Sequence, residues 1–355
     1  MPTNDYIAFA TGPGANVITQ PAYLALAQRG SGFQSGIAQS AQLNKVWRQA
    51  SVVAAMIAQF TADNTNQNVL DDGNIPNLEA LFKLAIQAVN RTKLSGNLNI
   101  YVSPSGNASN TGLSPSAALP SINQALAVGY HNYDYNGFSL IINLAAGAYQ
   151  EPVVVYGMPV GCQNVFIVGN TANPQGTVVS AVNGNAVTID FAQVYLQGFQ
   201  CGASGVASGL IGNGYGLVAT QAYIILDHMA FGSCQTAQIG CYNQSLIAPG
   251  GLPLTFSGTS GIGIIVGASS YLWAPNSAIT FAGGTVYNSF WLECSSNSLA
   301  IVDQQGGGSQ FTGSFSGARF LVNYNSSIQT NGAGINYFPG SVAGFADTAT
   351  FGSYT

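Results

Sequence analysis

After residue 93 this chain of 355 residues has almost no charge. Charged side chains make up 5% of the whole, against about 25% in an ordinary soluble domain. Residues 1–93 hold Asp5, Asp63, Asp71, Asp72 and Glu79 beside Arg29, Lys45, Arg48, Lys83, Arg91 and Lys93. Beyond Leu94 there remain Asp134, Glu151, Asp190, Asp227, Glu293, Asp303, Asp347 and a single base, Arg319. One cation cannot neutralise a run of phosphates, which excludes nucleic acid as a partner of this part. The five cysteines (Cys162, Cys201, Cys234, Cys241, Cys294) are odd in number and form no C-x-x-C pair. A disulfide framework or zinc site is thereby disfavoured, and small apolar core residues are expected instead. No apolar run approaches the ~18–20 residues of a membrane span. The first residues, MPTNDYIAF, lack the basic-then-apolar pattern of a secretory leader. The expectation is a chain made in a cytoplasm, without membrane insertion, metal or cofactor.

Low charge alone would suit a disordered chain, but 47% hydrophobic residues do not. Short β-branched or aromatic runs recur instead, each closed by Gly, Asn or Ser. NVFIVGN (from Asn164), QVYLQGF (from Gln193) and AYIILDH (from Ala222) follow one another at equal spacing. This aligns Val165 with Val194 and Tyr223, and Ile167 with Leu196 and Ile225. Ile189 falls opposite Val218, and Trp291–Leu292 opposite Phe320–Leu321, at the same offset. Such runs read as strands. A fixed offset of this size reads as stacked coils. The fold class expected is mainly β: a right-handed parallel β-helix (a β-solenoid) preceded by a small α-helical domain. The composition break places the domains at 1–94 and 95–355, with an opening strand and capping helix over 95–130.

Taken in order, residues 1–18 form an extended arm. A helix capped by Thr19 runs to Gly30, and a long helix covers Ile37–Ala62 with Leu43, Val46, Trp47, Val53, Ile57 and Phe60 on one stripe. DNTNQNVLDDGN is a polar connector, and a third helix spans Leu78–Asn90, started by Asn77 or Asn74. Ser121–Val128 reads as a helix covering the solenoid end. Irregular rungs run to about Gly340, and the tail VAGFADTATFGSYT covers the far end.

The segments ANVITQPAYLAL, GFQSGIAQSAQLNKVWRQASVVAAMIAQFTAD and LDDGNIPNLEALFKLAI resemble the virion-attachment module of bacteriophage tail fibre and tailspike proteins. YVSPSGNASNTGLSPSAALPSINQAL and INLAAGAYQEPVVV resemble the opening coils of pectin-lyase-like β-helices, common in such tailspikes. The resemblance covers about residues 14–170. It implies a homotrimer in the virion tail, held to a tail or baseplate protein through the N-terminal domain, with Asn44, Lys45, Trp47 and Arg48 in the attachment segment. It also implies a β-helix that meets bacterial surface polysaccharide, as an adhesin or alternatively as a depolymerase of capsule or lipopolysaccharide.

Glycoside cleavage needs two carboxyl groups about 5–9.5 Å apart. On the fixed offset Asp190 falls beside Ala219, Asp227 beside Gly198 and Glu293 beside Val322, so no column holds two acids. Glu293, Asp303 and Asp227 remain the catalytic candidates, all weak. Asp227 and His228 are adjacent, and in a strand they point to opposite faces. His131 falls in a loop, and Glu151 reads as structural. GLIGNGYG reads as a turn between coils, without the lysine of a phosphate cradle. Tyr271, Trp273, Trp291 and Glu293 are the ligand-binding candidates, because aromatic faces beside a carboxylate suit a sugar. The alternative for the aromatics is burial. Alternation leaves the inward faces around 290–322 open.

Overall fold

The computed structural model describes residues 2–33, 35–36, 39–204, 213–249, 252–302 and 308–355. It contains two compact units, Met1–Thr92 and Lys93–Thr355.

The first unit is helical. Its elements are Gln20–Leu24, Gln28–Ser31, Ser40–Thr65 and Ile75–Val89. The single helix expected from Thr19 to Gly30 is therefore two short ones, although Thr19 caps the first through Ala22 N–H. The long helix stops where Asn66 turns left-handed at φ 53°, a conformation Asn tolerates. Asn74 caps the last helix by accepting from Asn77 N–H. The connector is not simply polar: Val69 is buried with Ala58 and Ala62. Its backbone pairs with the N-terminal arm, Asp5 N–H to Val69 O and Val69 N–H to Thr3 O.

The second unit is a parallel β-helix. Among the described residues its first sheet has ten strands. One inward column runs Leu98, Leu140, Val165, Val194, Ile224, Ile247, Leu272, Ala300, Ile328 and Tyr354. All of these except Tyr354 are buried. A second sheet supplies the other walls of the coils. Apolar side chains at alternate positions face the interior along most strands, so burial sets the register.

That register corrects the fixed offset. Val165 does pair with Val194, as the repeat requires. Val194 then pairs with Ile224 and not Tyr223, and Leu196 with Leu226 and not Ile225. Ile189 pairs with Ala219, and Leu292 with Phe320, so the coils differ in length. The step from Val194 to Ile224 is longer than that from Val165 to Val194, and the step from Ile224 to Ile247 is much shorter. A slip of one position would have turned Ile224 and Leu226, both fully buried, out to solvent.

The turns entering the first sheet explain how unequal coils stay aligned. Asn243–Gln244, Ala268–Ser269, Ser296–Asn297 and Tyr324–Asn325 are consecutive left-handed pairs, one per coil. Behind them stands a buried serine ladder. Ala222 N–H donates to Ser245 Oγ (3.1 Å), Ser245 N–H to Ser270 Oγ (3.2 Å), Ser270 N–H to Ser298 Oγ (3.2 Å) and Ser298 N–H to Ser326 Oγ (3.0 Å). Each hydroxyl satisfies a corner amide that the strand ladders leave over. Cys201, Cys234, Cys241 and Cys294 lie buried in the coils, as free thiols. Burial pushes the pKa of the last three up to about 12.

The helix Ile122–Asn132 covers the N-terminal end with Ile122, Ala125, Leu126 and Gly129 buried. It is longer than expected and takes in His131, which sits in its last turn and donates from Nδ1 to Ala127 O. Ser121 caps it. The Glu151 carboxylate also accepts from Ile122 N–H (2.7 Å), Asn123 N–H (3.2 Å) and Asn123 Nδ2 (2.9 Å). A carboxylate there meets unpaired amides at the positive end of the helix dipole. Glu151→Ala is expected to destabilise the protein by about 1–2 kcal/mol. Hydrogen exchange at Ile122 and Asn123 should accelerate first, and unchanged exchange there would refute the capping role. At the other end, the tail builds a final rung rather than a separate cover. Ser353–Tyr354 pairs with Ser327–Ile328, and Tyr354 stacks on Phe320 at 4.1 Å.

Candidate functional site

The outward face of the first sheet carries an aromatic pair, Tyr271 half-buried and Trp273 exposed. Tyr271 and Trp273 occupy alternate positions of one strand, so both leave the same face. Their rings stack at 6.0 Å with an interplanar angle of 29°. Leu246 and Leu299 flank Tyr271 in its column, and Ile301 lies beside Trp273. Further toward the N-terminal end of the sheet, a second stack joins Phe166 and Tyr195 at 4.5 Å. Trp273 is 44% exposed.

Trp291 is not part of this surface. It is fully buried and packs edge-on against Phe256, Phe281, Phe311 and Phe338. Leu292 is buried as well. Two consecutive inward side chains break strand alternation, because against the preceding strand the register shifts between Ser260–Tyr287 and Ile264–Leu292, leaving one extra residue on this strand. This settles the faces around 290: Trp291, Leu292 and Cys294 point inward, and Glu293 points out.

Glu293 therefore stands apart from the aromatic candidates. Its column neighbours are Ile265 and Leu321, not Val322. Tyr215 and Tyr242, whose hydroxyls are 2.9 Å apart, lie in the apolar cluster containing Ile265. Desolvation raises the Glu293 carboxyl above its usual value near 4.5. The native state then holds this proton more tightly than the unfolded chain. The stability so gained is complete below about pH 4.5 and is lost as pH rises through the raised value. Glu293→Gln is expected to raise the melting temperature at pH 7 and leave it unchanged at pH 4. Equal melting temperatures at pH 7 would show that the carboxyl is hydrated.

The other acids are scattered. Asp190 pairs with Thr220 rather than Ala219, and Asp227 with Gln197 rather than Gly198. Asp303 lies outside the described residues, as does the first half of the Gly209–Gly216 segment. Asp227 and His228 do not point apart. His228 follows the strand in a left-handed conformation, φ 49°, which swings its ring back so that Nδ1 meets Asp227 Oδ1. Gln197 Nε2 holds the other carboxylate oxygen at 3.1 Å. Arg319 donates from Nε to Phe338 O at 2.9 Å.

In the helical unit Asn44 donates to Asn16 O, and the buried Lys45 places its ammonium 5.8 Å from the centre of the Tyr23 ring. Both hold the arm and first helix in place. Trp47 is 54% exposed and meets Phe9 edge-on, and Arg48 is half-buried on the same helix. Among the described residues no helix is long and apolar enough to cross a membrane.

The sequence reading missed an open cleft of about 330 Å³ at the corner where the second sheet turns into the first. Gln221, Asn243, Gln244, Ala268 and Ser269 line it. These residues come from three successive turns, and no motif connects them.

No known protein-family profile matches the sequence, and no curated protein matches it. Among solved structures, pectin methylesterase PemA from Erwinia chrysanthemi is similar over 68% of this chain and 80% of its own, at 11% identity and a TM-score of 0.36.

Proposed function

We propose that the protein is a tail fibre or tailspike-type adhesin of a bacteriophage: a homotrimer, fixed to the virion by its N-terminal helical domain, whose β-helix binds bacterial surface polysaccharide without cutting it. The observation that carries the binding role is the Tyr271–Trp273 stack, with Trp273 exposed, on a sheet face nearly free of charge. Sugar rings present apolar C–H faces that stack on such rings, and neutral hydroxyls need no charged partner. Support for attachment comes from the N-terminal resemblance. Trp47, Val53, Met56 and Val89 of the helical unit also stand more than half exposed, apolar surface suited to a protein partner. Against cleavage stands the scatter of carboxyl groups: the ladders of the described residues bring no two acids into one column.

Full-length protein should adsorb to host bacteria or their purified surface polysaccharide and release no reducing ends. Trp273→Ala should weaken adsorption about tenfold or more while the melting curve stays unchanged. Release of oligosaccharides by the wild type, abolished by Glu293→Gln, would make the protein a depolymerase. Adsorption unaffected by Trp273→Ala would remove the aromatic stack from the reading.

A further inference from the structure

We infer that the corner cleft is a subsite for a neutral sugar, a hexose or N-acetylhexosamine unit of the polysaccharide bound on the adjoining face. The inference rests on the adhesin reading and adds the place and chemical class of the ligand.

The first support is unused hydrogen-bonding capacity. The side chains of Gln221, Asn243, Gln244 and Ser269 form no hydrogen bond with any described residue. Three amides and a hydroxyl thus offer both donors and acceptors to whatever enters. The same turn is closed further along the stack, where Asn325 Nδ2 donates to Asn297 Oδ1 at 2.8 Å. Open amides are a property of the middle coils, not of the turn type.

The second support is the backbone. All five lining residues are left-handed, with φ between 48° and 65°, and none is glycine. Gly would adopt this conformation without strain, and Ala268 and Gln221 gain nothing there from an Asn-type preference. Side chains are kept where the fold alone favours their absence.

Position gives the third support. Tyr223, Leu246 and Tyr271 begin the three strands that leave the cleft, on successive coils. Coils repeat at about 4.8 Å, so the two tyrosines stand about 10 Å apart along the stack. Tyr271 leads directly to Trp273. One sugar in the cleft and the next on the aromatic stack is the arrangement of a chain lying across the corner.

Charge then selects the class. No lining residue is ionisable. Beyond Leu94 the one basic residue is Arg319, which is committed to Phe338 O. A uronate or sialate carboxylate would lose hydration here and gain no counter-charge. Neutral hydroxyls and acetamido groups match amide and hydroxyl partners.

The test uses the full-length protein and immobilised bacterial polysaccharides of two kinds, neutral (hexose, deoxyhexose and N-acetylhexosamine only) and uronate- or sialate-containing. The variant is Asn243→Gly with Gln244→Gly, which removes two amides and keeps the left-handed backbone. Asn325→Gly, at the closed turn, is the control. Expected is binding confined to neutral polysaccharides, weakened about tenfold or more in the double variant and unchanged in the control. Wild-type affinity in the double variant, with Trp273→Ala still weakened, would overturn the cleft and leave the adhesin reading standing. Preference for the acidic polysaccharides would overturn the ligand class. Binding to neither kind would overturn both this inference and the adhesin reading.

Discussion

Replacing Trp291 with alanine is expected to cost about 3–5 kcal/mol of stability, the usual range for emptying a large aromatic from a packed core. The indole lies between Phe281 at 5.6 Å, Phe311 at 5.7 Å and Phe338 at 4.7 Å between ring centroids. Stacked β-strands on either side cannot collapse into the void without breaking their own ladders. Gly263 shows how closely the site is fitted: a Cβ there would stand 2.6 Å from Trp291 Cδ1. Trp291→Phe should cost much less, because it keeps a ring in place and removes an indole Nε1 that is buried without a partner among the described residues. Denaturant midpoints of both variants, measured beside carbohydrate binding, decide the matter. A destabilised Ala variant that still binds while folded fits the core position. An undisturbed midpoint with lost binding would return Trp291 to the surface.

The second large effect is expected at Gln238, a fully buried polar residue in the long strand Met229–Tyr242. Its amide nitrogen serves the carbonyls of Gly232 (2.9 Å), Ser257 (2.9 Å) and Phe231 (3.2 Å). Its oxygen accepts from the Tyr287 hydroxyl at 2.8 Å. The strand's register shifts between Cys234 and Ala237, and these groups gather around one side chain beside that irregularity. Gln238→Leu comes close in volume and removes the amide from the Gly232 and Ser257 carbonyls and the Tyr287 hydroxyl, at a cost of about 3–5 kcal/mol, while Phe231 O keeps its bond from Ser257 N–H. Adding Tyr287→Phe removes one orphan, so the double variant should be more stable than Gln238→Leu alone. A double variant as unstable as the two single losses summed would show that the hydroxyl and amide are not coupled.

These two residues also mark where sequence reading stops. The class of fold was legible because short β-branched runs and glycine or asparagine turns repeat, and a helix-rich, more charged segment precedes them. Register was not, because coil length is set by loops and bends that leave no trace in strand periodicity. The fixed offset holds from Val165 to Val194 and fails at the next coil, where burial of Ile224 demands a longer step. Alternation likewise fails wherever a strand turns a corner. Trp291 and Leu292 both point inward, which strict alternation forbids, and this misplaced Trp291 beside Glu293. His228 escaped for a related reason, since a left-handed strand end is a backbone fact that the dipeptide Asp-His does not announce. Of the candidate surface, Tyr271 and Trp273 were legible as an aromatic pair at strand spacing. The cleft beside them was not, because its residues are ordinary amides brought together only where the turns at Gln221, Asn243 and Ser269 stack.

The serine ladder gives the molecule a direction in time. In every rung the donor amide belongs to the earlier coil and the accepting hydroxyl to the later one. A ribosome delivers the donor first. Ala222 must wait for Ser245, and Ser270 for Ser298, before its amide is satisfied. At synthesis rates of about 5–20 amino acids per second, that wait lasts roughly one to six seconds per coil. During it, the newest corner holds an unpaired amide that only the next coil can close. The two ends of the stack are therefore unequal. Shortening the chain from its carboxyl end through these coils bares a backbone donor, whereas removing coils from the amino end bares a hydroxyl acceptor. Each finished coil becomes secure when its successor arrives.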